Sequence, residues 1–209
     1  MTSGHAVRVA VSLAQEHGIT VREPVVLNDS FNLRIHLRPA PIVARVPTVT
    51  ALGRERPEQA LLRELQVVSF LYGLGAPVVP PSALLPPGPH VRDGVAVSFH
   101  AYAEHDPAYA VTPDAAGKVL AELHAGLREF PGELRYLGPV LDEPVRLLEL
   151  LDGEVEPDAL AGCETRTRSW SRGSAGLPRA GRRPSMGTRI RAICSPPPPG
   201  CCGTTSRSA

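Results

Sequence analysis

The composition of the chain changes abruptly after Gly162. Residues 163–209 contain nine arginines and one acid, Glu164, whereas residues 1–162 contain 13 basic and 20 acidic residues. The net charge is therefore +8 in this tail and −7 in the body, although the whole chain has a formal charge of +1. A tail without apolar periodicity cannot offset the entropy cost of ordering its backbone, so we predict that residues 163–209 are disordered.

The composition of residues 1–162 is not that of a membrane protein or a secreted protein. No hydrophobic run approaches the roughly 20 residues that a membrane-spanning helix needs. No charged segment followed by an apolar one marks a signal peptide at the N-terminus. All four cysteines lie in the tail, and a body without cysteine is typical of a reducing compartment. We therefore expect a cytoplasmic protein with no membrane partner.

The pattern of the body predicts an α+β protein. Helical apolar spacing predicts a first helix over 3–17, and β-branched or alternating stretches predict strands over 20–27, 31–37 and 41–46. Pro57 and Glu58 begin a longer helix that ends near residue 73. A proline-rich connection leads to a strand over 95–102, and only helices follow, beginning near residues 112, 142 and 157.

This order predicts three parts of the chain. Residues 1–104 form a small lobe that contains the sheet, and residues 105–162 form the start of a helical lobe. Residues 163–209 form the tail.

Arg45 and Glu64 are the first candidates for a functional pair. Strand alternation places Arg45 on the face opposite Ile42, Ala44 and Val46. Glu64 has apolar neighbours on its helix, and a carboxylate in such surroundings needs a cationic partner because its desolvation costs several kcal/mol. One interpretation is an ion pair between the two; the alternative is two unrelated surface charges.

The order of these elements resembles the small lobe of protein kinases. Three stretches resemble the aminoglycoside phosphotransferase and choline kinase family: IVARVP at 42–47, REL at 63–65 and AGKVLAELHAGL at 116–127. The resemblance covers residues 20–130. It implies a protein-kinase-like fold and transfer of the γ-phosphoryl group of ATP or GTP to a hydroxyl of a small molecule, with Mg²⁺ as the cofactor of an intact family member.

The resemblance also assigns roles to individual residues. Arg45 would contact the nucleotide phosphates and pair with Glu64, with arginine in the place of the kinase lysine. The loop that covers the nucleotide would be LNDSFN, with the candidate contacts Asn28, Asp29, Ser30, Phe31 and Asn32. The hinge beside the base would span 99–103, with the candidate contacts Phe99, His100, Ala101 and Tyr102.

The catalytic segments of the family are missing from this chain. The family carries a catalytic Asp and a metal-binding Asn in an HGDxxxxN segment, followed by a second metal-binding Asp. These residues orient the attacking hydroxyl and hold the magnesium. Because no Asp, Asn or His follows residue 162, we predict that the chain has no catalytic or metal-binding residues and is inactive.

A shifted reading frame explains the tail. Reverse translation of residues 186–194, read one nucleotide earlier, permits HGDAHPGNL, and residues 200–207 permit LLWNDFE. These two segments match the catalytic and metal-binding motifs of the family in the correct order. We therefore predict a frameshift near residues 161–163, which makes the arginines and prolines of the tail by-products of GC-rich DNA.

The alternative is a non-enzymatic protein whose basic tail binds nucleic acid by neutralising phosphates. Cys194, Cys201 and Cys202 have no spacing typical of a zinc site. Because the frameshift interpretation explains the same arginines without a ligand, we do not expect nucleic acid as a partner.

Overall fold

The computed structural model describes residues 2–106, 108–134, 138–151 and 153–175. These residues form six helices and one five-stranded antiparallel sheet, which confirms the predicted α+β class. Residues Met1–Leu177 form one compact unit. The predicted boundary after residue 104 falls inside this unit, between the last strand and the fourth helix.

The sheet has the strand order β1-β2-β3-β5-β4. Its strands are β1 Val21–Asp29, β2 Asn32–Pro39, β3 Ile42–Pro47, β4 His90–Arg92 and β5 Val95–Ala101. The four strands predicted from alternation and β-branched runs are confirmed with small shifts at their ends. Strand β4 was not predicted, because three residues are too short to establish a period of two.

Alternation along the strands gives the sheet two different faces. The first, which we name the core face, is apolar and packs against helix α1, Ser3–Glu16. Its fully buried side chains come from three neighbouring strands: Leu33, Ile35, Leu37, Ile42, Ala44, Val46, Val97 and Phe99. Helix α1 contributes small and branched residues at helical spacing, with Ala6, Val9 and Leu13 among them. The sheet and α1 therefore form the main core of the lobe.

The opposite face of the sheet, which we name the site face, is contacted by helix α3, Pro57–Gly73. Leu61 and Leu65 of α3 are buried. The short helix α2, Val49–Leu52, joins β3 to α3 and was not predicted. The proline-rich connection after α3 pairs with the edge of β5, since Phe99 donates its backbone N–H to the Pro87 carbonyl at 2.9 Å.

The remaining helices are α4 Pro113–Leu127, α5 Gly138–Leu150 and α6 Pro157–Ala175. The Thr112 side chain caps α4 by accepting the Ala115 N–H, as its sequence predicts. Helix α5 contacts the segment around α2, where the Arg54 Nε donates to a Glu143 carboxylate oxygen at 2.6 Å. None of the helices in the described parts of the chain is long and apolar enough to span a membrane.

Helix α6 continues beyond the predicted start of the tail. The prediction of disorder from residue 163 is wrong as far as Ala175, and the rest of that prediction lies outside the described residues. The physical reason is local. No proline interrupts residues 158–177, arginine and alanine favour helices, and Glu164 pairs with Arg168 one turn later at 2.9 Å.

Candidate functional site

Two rows of side chains cross the site face. Residues that are paired in neighbouring strands point to the same face of a sheet, so the register of the strands defines the rows. The first row consists of Arg34, Arg45 and Ser98. The second row consists of His36, Val43 and His100. Asn28 of β1 is paired with Arg34 and extends the first row to the edge of the sheet.

Arg45 and Glu64 form an ion pair across the site face, which confirms their predicted association. The Arg45 Nη1 donates to the Glu64 Oε2, and their side chains are 16% and 34% exposed. Burial lowers the pKa of Arg45, while Glu64 opposes this effect. The guanidinium still stays protonated at neutral pH, because the ordinary pKa of arginine lies far above it. Glu64 therefore holds a permanent positive charge on the middle strand, and the Nη2 and Nε groups of Arg45 make no hydrogen bond with any described residue.

The predicted covering loop is the turn of the β1–β2 hairpin. Asn28 and Asp29 end β1, Ser30 and Phe31 form the turn, and Asn32 begins β2. Asp29 does not belong to the site face: it is paired with Leu33 of the core face and accepts a hydrogen bond from the Ser3 hydroxyl at 2.7 Å. The Phe31 side chain is 66% exposed. Of these five residues, strand pairing places Asn28, paired with Arg34, and Asn32, paired with Pro47, on the site face.

The segment after β3 holds this turn in place. Thr48 donates its hydroxyl to the Ser30 carbonyl at 2.9 Å, and Thr50 donates its hydroxyl to the Asn32 Oδ1 at 3.0 Å. The backbone N–H groups of both threonines also donate to the Phe31 carbonyl. This role of the threonines was not predicted from the sequence. The polar stretch TVT directly after a strand was the available signal, but its partner 18 residues earlier cannot be identified without the strand register.

The predicted hinge is divided between the two faces of the sheet. The Phe99 side chain is fully buried in the core face, so the structure does not place it on the site face. Ala101 is paired with Ile42 of the core face. The backbone N–H groups of Ala101 and Tyr102 already donate to the Pro80 and Pro41 carbonyls, at 3.0 and 2.9 Å.

His100 does lie on the site face. Its Nε2 is 3.1 Å from the Ser98 hydroxyl. Burial lowers the pKa of His100, and the charges of Arg45 and Arg34 act in the same direction while Glu64 opposes them. The lowered pKa favours the neutral imidazole at pH 7, so the fixed charges around the first row belong to Arg34, Arg45 and Glu64.

Tyr102 provides a flat surface at the end of the second row. Its ring stacks on the His36 ring with a centroid separation of 3.8 Å and an interplanar angle of 10°. His36 is buried and Tyr102 is half-buried, so Tyr102 is the outer ring of the pair. The two ends of the site face thus differ in chemistry, with arginines in the first row and an aromatic surface beside the second.

Arg34, the charged residue paired with Arg45, was not predicted from the sequence as a site residue. The alternation of FNLRIHL already placed Arg34 and His36 on the polar side of its strand. The sequence alone does not reveal that Arg34 is paired with Arg45, because this pairing depends on the register between β2 and β3.

No group of three or more His, Cys, Asp or Glu side chains within the described ranges could hold a metal ion.

Comparison of the chain with family models, with curated proteins and with solved structures finds no match in any of the three.

Proposed function

We propose that the sheet-containing lobe of this chain is the nucleotide-binding lobe of a small-molecule phosphotransferase with a protein-kinase-like architecture, similar to the aminoglycoside phosphotransferases. The observation that carries the proposal is the ion pair between Arg45 on β3 and Glu64 on the next long helix. Protein kinases use the same two positions, a basic residue on the third strand and a helix glutamate, to hold the nucleotide phosphates.

In this proposal Arg45 binds the phosphate chain of ATP or GTP. Glu64 orients the guanidinium, and the Nη2 and Nε groups donate charge-assisted hydrogen bonds to phosphate oxygens. The Tyr102 ring offers its flat outer side to the base, and the hairpin turn held by Thr48 and Thr50 lies at the phosphate end of the same face. An intact relative would transfer the γ-phosphoryl group to the hydroxyl of a small molecule.

The chain itself binds nucleotide in this account but does not turn it over. No Asp, Asn or His follows residue 162, so the catalytic Asp and the metal-binding Asn and Asp of the family have no counterpart there. A frameshift near residues 161–163 would explain the loss. The absence of cysteine from residues 1–162 supports a cytoplasmic location for this lobe.

We expect weak binding of a non-hydrolysable ATP analogue to this chain, with little change when Mg²⁺ is added and with no phosphoryl transfer. The measurement is a pair of calorimetric titrations, with and without Mg²⁺, and a turnover assay. The control is the protein translated from the same DNA after the frame is restored, for which binding depends on Mg²⁺. Turnover by the present chain that Arg45→Ala abolishes would show that the catalytic residues lie elsewhere.

A further inference from the structure

Among the described residues Arg34 has no partner, whereas the neighbouring Arg45 is paired with Glu64. The Arg34 side chain is exposed, and it makes no hydrogen bond or ion pair with any described residue. It is paired directly with Arg45 across β2 and β3, and both point to the site face. The two charges also interact, since the charge of Arg34 contributes to lowering the pKa of Arg45.

Two like charges at directly opposed positions of a sheet repel each other and destabilise the strand pairing. The only carboxylate paired with either of them within the described ranges is Glu64, which binds Arg45. Arg54 is also close enough to affect Arg45, but its own partner is Glu143. His100 is neutral. The first row therefore has an excess of one positive charge, which an anion could neutralise.

We infer that Arg34 is a second phosphate-binding residue of the site face, and that with Arg45 it selects ligands that carry a polyphosphate chain over those with a single phosphate. The inference rests on the proposed function for the identity of the whole ligand, a nucleoside polyphosphate. Neighbouring strands are about 4.8 Å apart, so the two side chains leave the sheet side by side and their guanidinium groups can reach successive phosphate groups. Each guanidinium can offer a planar fork of two N–H donors to phosphate oxygens.

The test compares Arg34→Gln with Arg38→Gln. Arg38 is an exposed arginine on the same strand and face, but it lies four residues away, which is about 13 Å along a strand and beyond the screening length at physiological salt. The probes are inorganic tripolyphosphate, inorganic phosphate, AMP and a non-hydrolysable ATP analogue, each titrated calorimetrically into the full chain.

Arg34→Gln is expected to weaken the binding of tripolyphosphate and of the ATP analogue about tenfold, as the loss of one hydrogen-bonded charge implies. It should change the affinity for AMP and for inorganic phosphate much less. Arg38→Gln should leave all four affinities unchanged. In the absence of ligand, Arg34→Gln should melt at the same temperature as the wild-type chain or higher, because it removes the repulsion with Arg45.

Other results would overturn the inference. The first two are a wild-type chain that fails to bind tripolyphosphate and an Arg34→Gln variant that keeps the wild-type affinity for it. The other two are an Arg38→Gln variant that loses as much tripolyphosphate affinity as Arg34→Gln, and a ligand-free Arg34→Gln variant that melts at a lower temperature than the wild-type chain. In a further outcome, tripolyphosphate binding depends on Arg34 while the ATP analogue binds no more tightly than tripolyphosphate. That result would support Arg34 and Arg45 as a phosphate-binding pair, and the proposed nucleotide function would fail. The two ideas are thus separable in one set of titrations.

Discussion

Phe99→Ala is expected to lower the free energy of unfolding by about 3–5 kcal/mol, the usual cost of removing a buried aromatic side chain. Phe99 is fully buried in the core face, against the side of the sheet that α1 covers. The expected loss combines the transfer free energy of the ring with the cavity that it leaves. Urea unfolding monitored by circular dichroism measures the effect.

The matched control is Phe31→Ala, since Phe31 is 66% exposed in the hairpin turn. Its substitution should change stability by no more than about 0.5 kcal/mol. The milder variant Phe99→Leu keeps most of the core volume and should stay folded. It should bind the ATP analogue like the wild-type chain, because the Phe99 side chain points away from the site face. A loss of nucleotide affinity in stably folded Phe99→Leu would contradict this placement.

Glu64→Gln is expected to lower the free energy of unfolding by about 1–3 kcal/mol, the range for a hydrogen bond to a charged group. The side chain of Arg45 is only 16% exposed, and its guanidinium would lose its counter-charge. The nucleotide analogue should also bind more weakly, because a neutral amide holds the guanidinium less firmly than a carboxylate does. Chemical unfolding and calorimetric titration of the same variant measure both effects.

The double variant Arg45→Met/Glu64→Leu distinguishes the loss of the whole ion pair from the loss of one partner, which leaves the other charge unpaired. It leaves no uncompensated charge, so it should recover most of the stability that Glu64→Gln loses, yet it should not bind the phosphate chain. Lys118→Gln serves as the control, since the Lys118–Asp114 pair is 73% and 77% exposed and such pairs contribute little. Equal losses in Lys118→Gln and Glu64→Gln would argue against a special role for the Arg45–Glu64 pair.

The strands and the long helix could be predicted because their signals are local. Alternation in FNLRIHL and IVARVP identifies both the strands and their buried faces, and the buried Ile42, Ala44 and Val46 confirm this prediction. The Arg45–Glu64 pair was predicted on other grounds. An acid among apolar helix neighbours needs a cation, but only the resemblance to kinases identified Arg45, 19 residues away, as that cation.

The rest of the site depends on pairing between distant segments. The position of Arg34 beside Arg45 follows from the β2–β3 register, and the threonine contacts to the turn join residues 18 positions apart. The division of the hinge also follows from register, since Phe99 and His100 are neighbours in sequence but face opposite sides of the sheet. Helix α6 was missed beyond residue 162 because the predicted tail was judged by its charge, whereas helix propensity and an i,i+4 ion pair decide the local structure.

The most direct test of the central claim is a crystal structure of the full chain with a non-hydrolysable ATP analogue. We expect the triphosphate to lie on the site face, within hydrogen-bonding distance of the Arg45 guanidinium. We also expect the Arg45–Glu64 pair to be intact and the base to lie against Tyr102. An analogue bound to any other surface, or a triphosphate on the site face that does not contact Arg45, would contradict this account.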